Sequence, residues 1–291
     1  MSARIDVRKT YKLYLGGKFP RSESGRTYEV SSARGAFLAN AALASRKDAR
    51  EAVRAARAAQ SGWAGATAYN RGQVLYRVAE LLEGRREQFV TDVAAGEGIT
   101  TARAHTTVGA AIDRWVWYAG WADKIAQVGG NPNPVAGPFF NLSVPEPTGV
   151  VAVVAPQGSS LLGLVSVLAP VIVSGNTAVV VASQHRPLPA ITLSEVLATS
   201  DVPGGVVNVL TGATAELASV LASHQDVNAI DVGGALGSDI GWGDLEALAA
   251  DTIKRVRRPA SETEPRWHDA ASLSQILTFT ETKTVWHPQG L

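Results

Sequence analysis

Between residues 150 and 232, four short valine-rich runs alternate with three apolar stretches of helical spacing, and few folds accommodate that order. The runs are 150–155, 177–182, 206–210 and 229–232, and the helical stretches are 161–174, 189–199 and 216–223. A strand with one wet face alternates apolar and polar residues. Val150-Val151-Ala152-Val153-Val154-Ala155 does not alternate, which marks a strand buried on both faces. Helical connections make such strands parallel and lay helices on both sides of the sheet. The expected fold is α/β: a Rossmann-like parallel sheet with an N-terminal helical layer packed on it. No internal repeat or low-complexity segment interrupts the pattern.

The helical layer is expected over 46–62, 69–86, 88–95 and 108–125. In the second of these, Val74, Leu75, Val78, Leu81 and Leu82 fall on one face. The fourth carries Trp115, Trp117, Tyr118 and Trp121, read as the packing face of an amphipathic helix rather than a binding stripe. Before it, residues 12–38 read as extended and hairpin-like around the Gly16-Gly17 turn signal. Residues 129–148 form a loop, with a short strand over 139–144. After the last run a helix is expected over 244–256. A polar, proline-containing connection over 259–271 and a strand-like finish over 282–286 follow. The basic cluster Lys254, Arg255, Arg257 and Arg258 reads as a solvated helix end.

A net charge of +1 leaves no electrostatic footprint for nucleic acid or an acidic membrane. The 291 residues contain no cysteine, which removes disulfides, thiolate metal sites and cysteine nucleophiles together. His105, His185, His224, His268 and His287 are scattered without helical pairing, so no metal site is expected. Ser159-Ser160 lacks the Gly-x-Ser-x-Gly frame of a nucleophile elbow and reads as a cap for the next helix. The alternative is that Gly158-Ser159-Ser160 binds an anion through backbone amides. The polar stretch Met1–Lys12 shows no signal peptide, and the longest apolar runs are too short to span a bilayer, so the expected location is cytoplasmic.

Several motifs, in one order along the chain, resemble the aldehyde dehydrogenase family. They begin with Tyr14-Leu15-Gly16-Gly17-Lys18-Phe19 and Ser24-Gly25-Arg26-Thr27-Tyr28. Glu146-Pro147-Thr148-Gly149-Val150, Ala169-Pro170, Gly175-Asn176-Thr177 and the stretch from Pro203-Gly204-Gly205 to Thr211-Gly212 follow. His224-Gln225-Asp226-Val227 and Phe279-Thr280-Glu281-Thr282-Lys283-Thr284-Val285-Trp286 complete the series. Residues 146–234 resemble the family's dinucleotide-binding core, and the last motif resembles its terminal pairing strand.

The resemblance implies a cofactor site at Pro156, Ser183, Gly212, Gly233 and Gly234, and this chain departs from the family's pattern around each. Where the family has an Asn whose amide stabilises the oxyanion, the chain has Gln157-Gly158-Ser159-Ser160 after Pro156. Where it has a Lys and a Glu on the adenosine ribose, the chain has Val181 and Gln184. Its Gly-x-Gly becomes Gly212-Ala213-Thr214, and its Phe-Thr-Gly-Ser turn becomes Asp231-Val232-Gly233-Gly234. Where its general-base Glu is expected the chain reads Arg257-Arg258-Pro259, and the pairing strand follows soon after without a catalytic domain. No catalytic residue is assigned.

The resemblance therefore implies four parts. Residues 1–45 are an extended, hairpin segment, and 46–258 a coenzyme-binding-like domain whose 129–148 stretch joins an oligomerisation element. Residues 259–272 form a linker in place of the catalytic domain, and 273–291 a projecting oligomerisation strand. In the family that strand extends the sheet of a partner's catalytic domain, and 244–256 matches a dimer-contact element. The expected function is a non-catalytic structural or regulatory subunit with a full-length aldehyde dehydrogenase paralogue as partner and with weak or no NAD(P) binding. Two alternatives are a contributing subunit of an active NAD(P)-dependent complex and a free-standing nucleotide-binding module.

Overall fold

The structure is a computed structural model that describes residues 9–269 and 271–290. Strands β1 (Thr10–Tyr11), β2 (Thr27–Ser31) and β3 (Phe37–Ala42) form a small N-terminal sheet. Gly16 and Gly17 make the turn between Leu15 and Lys18 with φ of 58° and 80°, the left-handed region that a side chain resists.

Four helices follow: α1 (Arg46–Gly65), α2 (Ala68–Gly84), α3 (Arg86–Glu97) and α4 (Thr101–Trp121). Helix α1 starts at a capping box in which Ser45 accepts the Asp48 amide and Asp48 accepts the Ser45 amide. Helix α4 begins seven residues before the expected 108, because the Thr100 hydroxyl accepts the Arg103 amide and caps the polar first turns. It ends before 125, where the short helix α5 (Ile125–Gly129) starts. Trp115 and Tyr118 are fully buried in the core, as the packing reading requires.

The main sheet comprises β6 (Val150–Val154), β7 (Thr177–Val181), β8 (Val207–Leu210), β9 (Ala229–Asp231) and β10 (Arg255–Arg257), after β4 (Asn131–Pro132) and β5 (Phe139–Pro147). Helices α6 (Leu162–Val173), α7 (Leu188–Leu197), α8 (Thr214–Ser223) and α9 (Trp242–Ala250) connect its strands. The strands are all parallel, in the order β10-β9-β6-β7-β8. Alternation along β6 divides two cores. Val150, Ala152 and Val154 pack with α1, α8 and α9, whereas Val151 and Val153 pack with α6, α7 and the α2–α4 layer. The valine-rich runs are therefore sandwiched between helices.

The fifth strand corrects the expected helix over 244–256. Helix α9 stops at Ala250, and Ile253 takes a left-handed φ of 53°, which turns the chain. Arg255, Val256 and Arg257 then pair in register with Ala229, Ile230 and Asp231. The basic cluster is not a solvated helix end either. Lys254 donates to the His224 carbonyl, Arg255 to the carbonyls of Thr278 and Thr280, Arg257 to Asp231 and Arg258 to Glu246.

After α10 (Leu273–Leu277), the last strand β11 (Thr280–Pro288) forms a third sheet in the order β11-β5-β4. It is not an unpaired strand, since nine residues, from Thr280 opposite Pro147 to Pro288 opposite Phe139, pair antiparallel with β5. Phe279 and Asn176 lock its start: Phe279 is buried, and its carbonyl accepts the buried Asn176 amide at 2.8 Å. Among the described residues, no helix is long and apolar enough to cross a membrane.

One carboxylate in the α3–α7 contact titrates against stability. Asp92 accepts the Thr192 hydroxyl at 2.9 Å. Burial raises its pKa above the ordinary carboxylate value, outweighing the lowering from Thr192 and Lys9. A carboxyl raised on folding is fully stabilising below its unfolded pKa of about 3.9 and loses that contribution as pH rises through the folded value. Asp92→Asn is therefore expected to raise the melting temperature at pH 7 and to lose that advantage at pH 4. Thermal melts at the two pH values check this; an equal or lower melting temperature at pH 7 contradicts it.

Candidate functional site

Strand order places the candidate site. From β6 the chain builds outward through β7 and β8, then returns to the other side of β6 with β9 and β10. The order reverses between β6 and β9, and α/β sheets bind ligands in the crevice beyond the carboxyl ends of the strands at such a switch point. Each residue that the sequence singles out follows one of these ends. Pro156 follows β6, Ser183 follows β7, Gly212 follows β8, and Gly233 and Gly234 follow β9 in a single 3₁₀ turn, Gly233–Ala235.

The first three ends are joined by side chains. Gln157 donates from Nε2 to the Ala155 carbonyl at 2.8 Å and accepts the Gln184 amide on Oε1 at 3.0 Å. The Ser183 hydroxyl donates to the Gln157 carbonyl at 3.2 Å. Gln184 in turn accepts the Thr214 amide at 2.9 Å, at the N-terminus of α8, while Tyr28 donates to the Gln184 carbonyl. Burial pushes the Tyr28 phenol pKa upward, so its hydroxyl keeps its proton for that bond.

Around α6 the acceptors are acids. The Gly158 amide donates to Glu264 Oε1 at 2.6 Å. Both the amide and the hydroxyl of Ser160 donate to Glu97 Oε1 at 2.7 Å. Ser159 accepts the Gly163 amide at 3.0 Å from within the preceding loop, whereas the N-cap position of α6 is Leu161, which makes no side-chain cap, and Ser160 turns to Glu97 instead. At the end of β9, the Asp231 carboxylate is 1% exposed and accepts the Gly233 amide at 2.9 Å and Arg257 at 2.5 Å. It is neutralised inside the sheet end rather than aimed at a ligand.

This constellation does not fit a dinucleotide. Helix N-termini hold a pyrophosphate through backbone N–H groups that lack an internal partner. Here the amides of Gly158, Ser160, Gly163, Thr214 and Gly233 each donate to a side chain of the same chain. Gly233 and Gly234 lead into a 3₁₀ turn rather than an α-helix, since α9 begins only at Trp242. A Cβ on Gly234 would lie 2.1 Å from the Val154 carbonyl oxygen, so the turn already rests on the end of β6. Val181, where the resemblance expects a ribose-binding lysine, is fully buried in β7. Among the described residues the buried Thr214 hydroxyl has no hydrogen-bond partner, an unmet polar group at the glycine position it replaces.

Sequence reasoning missed Glu97, Glu264 and Arg186, the residues that close the site around α6. Arg186 donates to the carbonyls of Gly158 and Gln157 at 2.6 and 3.3 Å. Glu97 and Glu264 lie 63 and 106 residues from the amides they bind, and no local motif signals such pairs.

Comparisons with known proteins agree with the fold. The profile of the aldehyde dehydrogenase family matches residues 19–257, which end with β10. Cytosolic 10-formyltetrahydrofolate dehydrogenase of Pongo abelii is 33% identical over 258 residues, covering 86% of this chain and 28% of that protein. The human protein of the same name is also 33% identical over 258 residues, with the same coverage. Among solved structures, an NAD-dependent aldehyde dehydrogenase from Sinorhizobium meliloti superimposes with a TM-score of 0.79 at 27% identity, covering 87% of this chain and 50% of that one. HpcC from Thermus thermophilus gives 0.80 at 26% identity, covering 86% and 48%. The chain thus spans about a quarter of the first relatives and about half of the solved structures. With the family profile running through the whole five-stranded sheet, this chain belongs to the aldehyde dehydrogenase family.

Proposed function

We propose that this chain is a non-catalytic structural or regulatory subunit that associates with a full-length aldehyde dehydrogenase. The observation that carries the reading is the closed switch-point crevice, where backbone donors suited to a cofactor are bonded to Glu97, Glu264, Gln184, Asp231 and Ser159. The family's cysteine nucleophile has no counterpart in these 291 residues. Thiohemiacetal formation and hydride transfer to NAD(P) both need groups that this site does not offer.

The third sheet supports the subunit role. Phe140, Leu142 and Val144 alternate along β5, and Val285 sits opposite Leu142, so all four share one face. They are 57%, 47%, 36% and 46% exposed, an apolar strip on a sheet whose outer strand β11 keeps one free edge. Apolar strips of this kind mark contact surfaces, and a free strand edge accepts another strand. Mixing the purified chain with a full-length aldehyde dehydrogenase of the same organism is expected to give a mixed oligomer in native mass spectrometry. Spectra showing each protein only with itself contradict the association.

A further inference from the structure

We infer that residues 261–269 are a tethered occupant of the crevice, an acidic plug that takes the place of an anionic ligand at the N-terminus of α6. Most side chains of this segment are exposed, but Glu264 and Trp267, three residues apart, turn inward and are half-buried. The Glu264 carboxylate accepts the Gly158 amide on Oε1 at 2.6 Å and the Trp267 indole N–H on Oε2 at 3.1 Å. A carboxylate on a backbone amide ahead of a helix forms the short, charge-assisted contact that a phosphate oxygen forms there.

The fit is built on both sides. A Cβ on Gly158 would lie 2.9 Å from the Glu264 carboxylate, and one on Gly163 would lie 3.1 Å from the Trp267 ring. Glycine at each position makes room for the acid and the indole. The main chain of the plug is clamped as well. Arg114 of α4, 8% exposed, donates to the carbonyls of Trp267 and Asp269 at 2.9 and 2.6 Å and to the Ser166 hydroxyl of α6 at 3.1 Å. Arg186 holds the Gly158 carbonyl from the other side of the loop. The linker that follows the main sheet thus closes the crevice at Gly158, adding to the misfit that Glu97, Gln184 and Asp231 create at the other amides.

Two measurements on the full chain test the plug. In the wild type, hydrogen exchange at the Gly158 amide is expected to be slowed as in a stable hydrogen bond, and addition of inorganic pyrophosphate is expected to leave its resonance unmoved. Glu264→Ala, which removes the carboxylate from both the Gly158 amide and the Trp267 indole N–H and leaves the Arg114 clamp on the main chain in place, is expected to bind NAD+ or pyrophosphate at least about tenfold more tightly than the wild type by titration calorimetry, the weight of one charge-assisted bond removed from competition. In that variant the Gly158 resonance shifts on titration with pyrophosphate. A Gly158 amide that exchanges freely in the wild type overturns the plug whether or not the variant folds. A folded Glu264→Ala protein with unchanged affinity and an unresponsive Gly158 overturns it equally. The inference is separable from the subunit role: failure to associate with a full-length enzyme leaves Gly158 protected, and a free Gly158 amide leaves association untouched.

Discussion

Arg257→Met is expected to lower the unfolding free energy by about 3 kcal/mol, because it strands a buried carboxylate. Asp231 is 1% exposed at the end of β9, and its cationic partner is Arg257 at 2.5 Å. The remaining bond from the Gly233 amide satisfies one oxygen and neutralises no charge. Because Arg257 keeps 26% of its side chain exposed, water softens the loss toward the lower end of the range for broken buried pairs. The double variant Arg257→Met with Asp231→Asn removes the charge along with its partner and is expected to recover more than half of the loss. Urea unfolding of the single and double variants checks both expectations. A single-variant loss below about 1 kcal/mol, the size of an exposed ion pair, contradicts the account of Asp231 as an internally neutralised group.

Charging the apolar sheet strip is expected to weaken the proposed association with a full-length aldehyde dehydrogenase by about two to three orders of magnitude, since two central contacts of roughly 2 kcal/mol each are replaced by desolvated charges. The variant is Leu142→Lys with Val285→Glu. These positions are direct cross-strand partners and both are exposed, so the new charges pair across the β5–β11 ladder and the sheet keeps its register. Phe279, buried at the start of β11, and the Asn176 bond to its carbonyl are left in place. Analytical ultracentrifugation of the mixture, with circular dichroism of the variant alone, separates loss of binding from loss of fold. A folded variant that associates as tightly as the wild type removes the strip from the interface.

The parallel sheet is legible in the sequence because uninterrupted Val and Ala runs such as 150–155 admit burial on both faces and little else. Strand β10 is not legible. Arg255-Val256-Arg257 carries one apolar residue between two arginines and follows a helical stretch, so its strand character comes from pairing with β9 and from the charges that meet Asp231, Thr278 and Thr280. Terminal strand β11 is recognisable by its motif, but its pairing within the chain is not. The alternating Phe140, Leu142 and Val144 of β5 supply an in-chain partner far away in sequence, as the Ser143–Thr284 contact shows at a separation of 141 residues. At the crevice, the sequence identifies the replaced positions Gln157, Val181, Gln184, Thr214 and Asp231. It does not show that Gln157 and Gln184 have become acceptors for the chain's own amides, since those bonds depend on strand ends brought together by the fold, nor that Asp231 turns back on the Gly233 amide two residues on and is met by Arg257 from β10.

The most direct measurement is cofactor reduction by the isolated chain. Purified protein is incubated with NAD+ or NADP+ and a panel of aliphatic, aromatic and amino aldehydes, and absorbance of the reduced nicotinamide is followed against a blank carried through the same purification. Rates indistinguishable from the blank are expected with every aldehyde and either cofactor, because the 291 residues contain no thiol and the amides of Gly158, Ser160, Thr214 and Gly233 are taken up by the chain's own side chains. Reduction that rises with protein concentration and survives repurification to constant specific activity would contradict that expectation.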